Sequence, residues 1–323
     1  MEINNVITYI EPEWTERQKL ISSAAASPFP LITQINSYLM DNSGKQIRPI
    51  LSLLSAKMFG APTQLSTVVA AVVEMVHTAT LLHDDVIDKS DTRRGALTVQ
   101  KLFSPLSSVL LGDFWLARAF QLLMDNKGES LLCYFARAIH EMSEGELFQM
   151  EKAMMRNTTI LEYNQIIRKK TAVLVAAGMV SAARTTGATD QQCNVIEDIA
   201  IHLGIAFQIR DDILDYSPQL YTGKPSGQDL MEGKLTLPLL AAFEQAPQTE
   251  LREAEMWIQE LPEKPELFTK ITDFVHRNKG IEFAQREIEK KESEIKTLLL
   301  QCPNNASRHY LEEVATYLSN RNT

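Results

Sequence analysis

Apolar residues recur at intervals of three and four along almost the whole chain, the period of an amphipathic helix. Period-two alternation is scarce and no Asn-Gly turn joins two apolar runs, so strands are not expected. The pattern predicts helices over roughly 5–25, 31–42, 47–60, 66–90, 98–102, 107–126, 128–155, 160–186, 190–217, 235–246, 248–259, 265–278, 281–300 and 305–320. Breakers fall between them: Pro28 and Pro30, Gly44, Pro62, Gly95, Pro105, Gly187, Pro218, Gly223 to Gly227, Pro262 and Pro303. Two helices are apolar on nearly every face. One runs through Val68, Val69, Val72, Val73, Val76, Ala79 and Leu81, the other through Ile196, Ile199, Leu203, Ala206 and Phe207. Helices of that kind are buried, so an all-α bundle with a deep apolar interior is expected. The stretch from Ile281 to Leu300 is amphipathic and rich in Glu and Lys, as in a solvated outer helix.

Both apolar helices end in the same polar signature. Asp84-Asp85-Val86-Ile87-Asp88 and Asp211-Asp212-Ile213-Leu214-Asp215 each read DDxxD. Spacing of i and i+4 puts the first and last Asp of each on one helix face. Six carboxylates gathered on two helices repel one another unless cations fill the space between them. An all-oxygen donor set with no His or Cys selects a hard ion such as Mg²⁺, which shares its coordination sphere with substrate phosphates. The pair of signatures therefore predicts two carboxylate helices gripping a diphosphate through magnesium.

The remaining composition narrows the setting. The signatures lie 127 residues apart in a chain of 323 and need each other, which favours one domain over residues 1–323. A net charge of −9 without a long basic tract argues against nucleic acid as a partner. Cys133, Cys193 and Cys302 are odd in number and form no CxxC, so a reduced cytoplasmic setting is expected. No basic, apolar leader opens the chain. The longest nearly uncharged apolar stretch, about 171–183, falls short of the ~20 residues that span a bilayer.

Cationic and polar residues cluster in order around the signatures. Gly44-Lys45-Gln46-Ile47-Arg48-Pro49 and His77 precede the first, and Arg93-Arg94-Gly95 follows it. Lys170-Thr171 and Phe207-Gln208 precede the second, and Gly223-Lys224, Asp229 and Gly233-Lys234 follow it. With these elements in this order over about residues 41–240, the chain resembles the trans-isoprenyl diphosphate synthases, most of all their medium- and long-chain polyprenyl group. The resemblance implies an all-α bundle around a central cavity, usually as a homodimer, that joins isopentenyl diphosphate head to tail to an allylic diphosphate such as farnesyl or geranyl diphosphate. It implies about three Mg²⁺ held by Asp84, Asp88 and Asp211, with Asp85, Asp212 and Asp215 in support. It assigns Arg93, Lys170, Lys224 and Lys234 to the allylic diphosphate, and Lys45, Arg48, His77 and Arg94 to the second diphosphate. Thr171 and Gln208 would place oxygens near the allylic cation. Two positions depart from the family pattern. Many members read GGKR where this chain has Ser43-Gly44-Lys45-Gln46, and Arg210 stands where an apolar residue is common.

Chain length in such enzymes follows how far the cavity runs before a bulky residue blocks it. Ala79, five residues before Asp84, occupies a place where short-chain members often carry an aromatic ring. It lies roughly 7–8 Å from the metals along the helix. Ala79, with Thr80 and Val76 near it, leaves the passage open, so the floor is expected at Phe120, Leu123 and Met124, with Met142 on the next helix. The expected product is about C30 to C45, suited to a quinone side chain and released through transient membrane contact. Open alternatives are a C15–C20 synthase and a non-catalytic partner subunit. A terpene cyclase fits less well, because its second metal site typically mixes residue types where this chain has DDILD.

Overall fold

A computed structural model describes residues 3–216 and 227–320. Its helices are α1 (Ile3–Tyr9), α2 (Glu11–Ala25), α3 (Pro30–Asp41), α4 (Ile47–Phe59), α5 (Gln64–Ile87), α6 (Val99–Leu102), α7 (Pro105–Asp125) and α8 (Leu132–Met155). There follow α9 (Ile160–Ile167), α10 (Val173–Arg184), α11 (Asp190–Asp215), α12 (Gln228–Met231), α13 (Leu237–Gln245), α14 (Gln248–Glu260), α15 (Leu267–Arg277), α16 (Gly280–Leu299) and α17 (Ala306–Asn320). The all-α expectation holds; α12 is an added short helix, and three further local differences follow. The expected 5–25 helix breaks at Ile10, where Pro12 opens α2 without an N–H to give. The expected 160–186 helix contains a π-helical turn at Arg168–Ala172. A hairpin also forms: Thr92–Arg93 (β1) pairs antiparallel with Ala96–Leu97 (β2) around Arg94-Gly95. Both turn residues have positive φ, 54° and 77°, the backbone that a two-residue hairpin of matching twist requires.

The chain divides into two compact units. The first comprises Met1–Ile139, Leu174–Ala200 and Leu298–Val314, the second His140–Val173, Ile201–Thr297 and Ala315–Thr323. In the first, α5 is the central helix. Thr63 and Ser66 cap it reciprocally, and every side chain from Ser66 to Val76 is buried. It packs on α2, α4 and α7. A Cβ added at Gly178 of α10 would lie 2.7 Å from Ser52 Oγ and 2.9 Å from Val73 Cγ2, so glycine lets α10 approach both α4 and α5. Only Glu74 interrupts residues 64–83 with an acid or a Lys/Arg, which makes α5, not 171–183, the longest nearly uncharged apolar stretch. By length and composition α5 and α7 could each cross a bilayer; 72% of the α5 window is buried within the protein, as in a core helix.

The second unit has its own core. Phe274 and Ile271 of α15 meet Leu239 of α13, Ile258 of α14 and Ile288 of α16, joined by Tyr163, Ile209, Ile213 and Tyr216. This core anchors the C-terminal half of α11, whose last turn carries the second acidic signature. Cys133 is exposed, Cys193 and Cys302 are buried, and all three are unbridged.

Candidate active site

In the first unit the acidic signature closes α5. Asp88 is the C-cap residue, and its N–H bonds Asp84 O at 2.8 Å. Asp84 and Asp88 are half-buried, while Asp85 turns inward. Arg93 Nε donates to Asp85 Oδ1 at 2.7 Å, so the β1–β2 hairpin is tied to the signature. Gln100 reinforces the tie, its amide donating to the backbone carbonyls of Asp85 (2.5 Å) and Ser90 (2.8 Å). The turn then projects Arg94, whose guanidinium occupies the space that a side chain at Gly44 would need. Gly44, Gln46, Glu74, Thr78, Asp85, Arg93 and Arg94 line one pocket of about 100 Å³. Lys45 is exposed at the loop before α4, and Arg48 is half-buried on the first turn of that helix.

Glu74 was not singled out in the sequence, although it is the lone carboxylate within a run of apolar residues. It is buried, and burial raises its pKa, while the charges of Arg48, Arg17 and Arg94 pull it back down. One oxygen, Oε2, and the Arg48 Nε are buried without a hydrogen-bond partner. Burial, and then the charges of Arg48, Arg94 and Arg93, hold the His77 pKa well below its ordinary value, so the imidazole is neutral at neutral pH. Glu74 thus balances a group of arginines that would otherwise repel. Glu74→Gln is expected to lower stability by about 3 kcal/mol, because it leaves buried guanidinium charge uncompensated. A urea midpoint equal to that of the parent protein would show that no such balance exists.

The wall residues also lie in this unit. Val76 and Ala79 are fully buried, and Thr80 Oγ1 donates to His77 O at 2.9 Å. Leu123 is buried and Phe120 half-buried, whereas Met124 is 52% exposed, so burial separates the three expected floor residues.

In the second unit the π-helical turn carries Lys170 and Thr171. It sits where two glycines allow close approach. A Cβ at Gly145 of α8 would lie 2.8 Å from Lys169 Cβ, and one at Gly204 of α11 would overlap Ala172. Lys170 Nζ bonds Glu146 Oε2 at 2.6 Å and Gln149 Oε1 at 2.9 Å. Thr171 Oγ1 donates to Gln208 Oε1 at 2.9 Å, and Gln208 Nε2 donates to Asp212 Oδ1 at 3.0 Å. Tyr163 OH donates to the other oxygen, Asp212 Oδ2, at 2.5 Å. Tyr163 is a site residue that the sequence reading missed; it stands eight positions before Thr171, across the irregular turn. Burial, and then the nearby Asp229 carboxylate, push the Asp212 carboxyl up to about 7.

Asp211 and Asp215 are half-buried, and Asp215 Oδ1 accepts from Gly227 N at 2.9 Å. Lys234 pairs with Glu232 at 2.6 Å. Arg210 reaches Gln285 Oε1 of α16 at 3.5 Å. Gly223 and Lys224 lie outside the described residues. The six carboxylates divide between the two units, Asp84, Asp85 and Asp88 in the first and Asp211, Asp212 and Asp215 in the second. Among the described residues, no three acidic, imidazole or thiol groups converge on one point; one or two carboxylates suffice for Mg²⁺ when substrate phosphates complete its sphere. Within each signature the middle Asp is turned into protein donors, Arg93 in one and Tyr163 with Gln208 in the other, which relieves the mutual repulsion.

These features can be set beside known proteins. The sequence model of the polyprenyl synthetase family matches residues 29–275. The chain is a trans-isoprenyl diphosphate synthase of that family. As such it is a prenyltransferase of isoprenoid biosynthesis, a trans-polyprenyl diphosphate synthase with the all-α isoprenoid-synthase fold. The synthase is 39% identical over 244 residues to the octaprenyl diphosphate synthase of Haemophilus influenzae, covering 75% of this chain and 74% of that one. It is 33% identical to the geranylgeranyl diphosphate synthase of Methanosarcina mazei, over 88% of each. Among solved structures, a polyprenyl synthase from Caulobacter crescentus complexed with calcium and isoprenyl diphosphate matches with a TM-score of 0.92 and 31% identity, over 100% of this chain and 98% of that one. Enzymes of this family act on isopentenyl diphosphate and an allylic diphosphate.

Proposed function

We propose that the synthase adds isopentenyl diphosphate units to an allylic diphosphate, in the presence of Mg²⁺, until an all-trans chain of about C30–C45 is reached, for use as a quinone side chain. The whole chain acts as one synthase domain, consistent with a family match that runs through both compact units. We place it in a reducing cytosol, working as a homodimer and touching membrane only to release product.

The single observation that carries the long-chain reading is the small side chain at Ala79, buried on α5 five residues before Asp84. The octaprenyl relative supports it, while the geranylgeranyl relative keeps C20 as the competing length.

The carboxylates of Asp84, Asp88 and Asp211, supported by Asp85, Asp212 and Asp215, fit a divalent metal by their donor chemistry. They are all-oxygen and anionic, and no sulfur or imidazole is interleaved. The calcium in the Caulobacter complex is in keeping with this. About three Mg²⁺ held there would supply electrostatic stabilisation of the departing diphosphate. The protein's own residues do the rest. Arg93, Lys170, Lys224 and Lys234 hold the allylic diphosphate, and Lys45, Arg48, neutral His77 and Arg94 hold that of isopentenyl diphosphate, with Arg suited to forked contacts and Lys to point charges. Thr171 and Gln208, fixed by their mutual hydrogen bond, present oxygen lone pairs toward the allylic cation formed when the C–O bond breaks. The double bond of isopentenyl diphosphate then attacks, and the proton lost passes to the released pyrophosphate.

The test is a product assay. Pure protein is incubated with farnesyl diphosphate, labelled isopentenyl diphosphate, Mg²⁺ and a little detergent, and the dephosphorylated alcohols are sized. A ladder ending near C30–C45 is expected. A stop at C20 would overturn the length, and the absence of product would point to a required second subunit.

A further inference from the structure

We propose that Arg17, on α2, is a positioning residue for the isopentenyl diphosphate site, acting through Gln46. The inference rests on the reading that Lys45 and Arg48 hold that diphosphate.

Arg17 is 1% exposed and heads the largest fully buried side chains of the protein. A buried guanidinium needs compensating partners; one of them lies on the loop before α4 and the others on α2 itself, while its Nε has none. Nη1 donates to Gln46 Oε1 at 2.7 Å, and Nη2 donates to Gln18 Oε1 at 3.1 Å. The guanidinium lies 4.0 Å over the Trp14 ring, a cation–π contact shielded from water. The Glu74 charge favours it as well, and although burial lowers its pKa to about 10 it stays protonated at neutral pH.

The residue it holds is conformationally unusual. Gln46 has φ 50° and ψ 48°, a left-handed backbone that non-glycine residues seldom adopt. That residue joins Gly44-Lys45 to the first turn of α4, which carries Arg48. The direction of Lys45 relative to Arg48 therefore depends on the backbone of Gln46, whose side chain is held by the bond from Arg17. Both Gln46 and Gln18 line the same pocket as Gly44, Glu74 and Arg94. A guanidinium in place of the Gln46 amide would meet that of Arg17, which now lies 2.7 Å from Oε1, so the two arginines are alternatives, one from the loop and one from α2.

The test is steady-state kinetics with each substrate varied in turn, alongside Tm. Arg17→Gln is expected to raise KM for isopentenyl diphosphate about tenfold, the effect of one lost charge-assisted contact. KM for the allylic diphosphate is expected to stay within about twofold. Gln46→Arg alone is expected to impair the same KM through like-charge contact. The double variant Arg17→Gln/Gln46→Arg is expected to return it to within about threefold of the parent, a coupling that independent sites would not show. Equal rises in both KM values, an unchanged KM in Arg17→Gln, or a double variant no better than the worse single would overturn the inference. If Arg17→Gln does not fold, Gln46→Ala decides instead: a selective rise supports the inference and no rise overturns it. Lys45→Ala is run in parallel. An unaffected isopentenyl diphosphate KM in that variant would remove the site assignment itself, and the role of Arg17 with it.

Discussion

Asp84→Ala or Asp211→Ala is expected to lower turnover by at least about a thousandfold, the scale at which loss of preorganised charge stabilisation is felt by a leaving group as anionic as diphosphate. Asp85 and Asp212 are tied by side-chain hydrogen bonds to neighbouring residues. Asp85 holds Arg93, and Asp212 accepts from Tyr163 and Gln208. Alanine at either of those would also strand buried donors, and loss of activity would be confounded with loss of structure. Asp84 and Asp211 are half-buried, and a parallel Tm separates loss of chemistry from loss of structure. The loss should fall on kcat with substrate at saturation. Near-normal rates in either variant would refute the metal assignment for its motif.

The second large effect concerns product length. Ala79→Tyr or Ala79→Phe is expected to cut the product to about C15–C20, because a ring ~7–8 Å from the first aspartate lies only one or two isoprene units down. Ala79 is fully buried, so a ring inserted there either fills an open passage or forces apart packed neighbours. The two outcomes separate cleanly. An open passage gives a shorter ladder with Tm close to the parent. A packed wall gives overpacking, with about 1–3 kcal/mol of lost stability and an unchanged ladder. The second outcome would remove Ala79 from the account of chain length.

Much of this was legible in the sequence, and the parts that were not share a cause. Hydropathic period revealed α5, α7 and α11 because each has an apolar face or is apolar throughout, and the repeated aspartate pattern marked the ends of two of them. Hydropathy is blind to backbone count, so the extra residue in the turn at Arg168–Ala172 left no trace in it. The hairpin was missed because its turn is Arg94-Gly95, with an arginine in a conformation usually given to Asn or Gly. The break at Ile10 could have been read from Pro12. Among site residues, the aspartates announced themselves by spacing. Tyr163 and Arg17 did not, because they act through partners 49 and 29 positions away, a separation that only the folded chain closes.

The wide turn before α10 is also a matter of phase. Tyr163 and Thr171 are eight residues apart, which in a regular helix would set them about 80° out of alignment. Yet Tyr163 reaches Asp212, Thr171 reaches Gln208, and those two targets are one helical turn apart on α11. The surplus residue absorbs most of the offset, leaving about 20° and bringing both hydroxyls to the same neighbour. Drawing the same residues into a regular α-helical turn would therefore act like turning a key by nearly a third of a rotation, swinging Tyr163 out of line with α11. Deleting Arg168 or Lys169 would instead close the wide turn and leave its two flanks in phase, so the turn can lose its surplus residue but not its width alone.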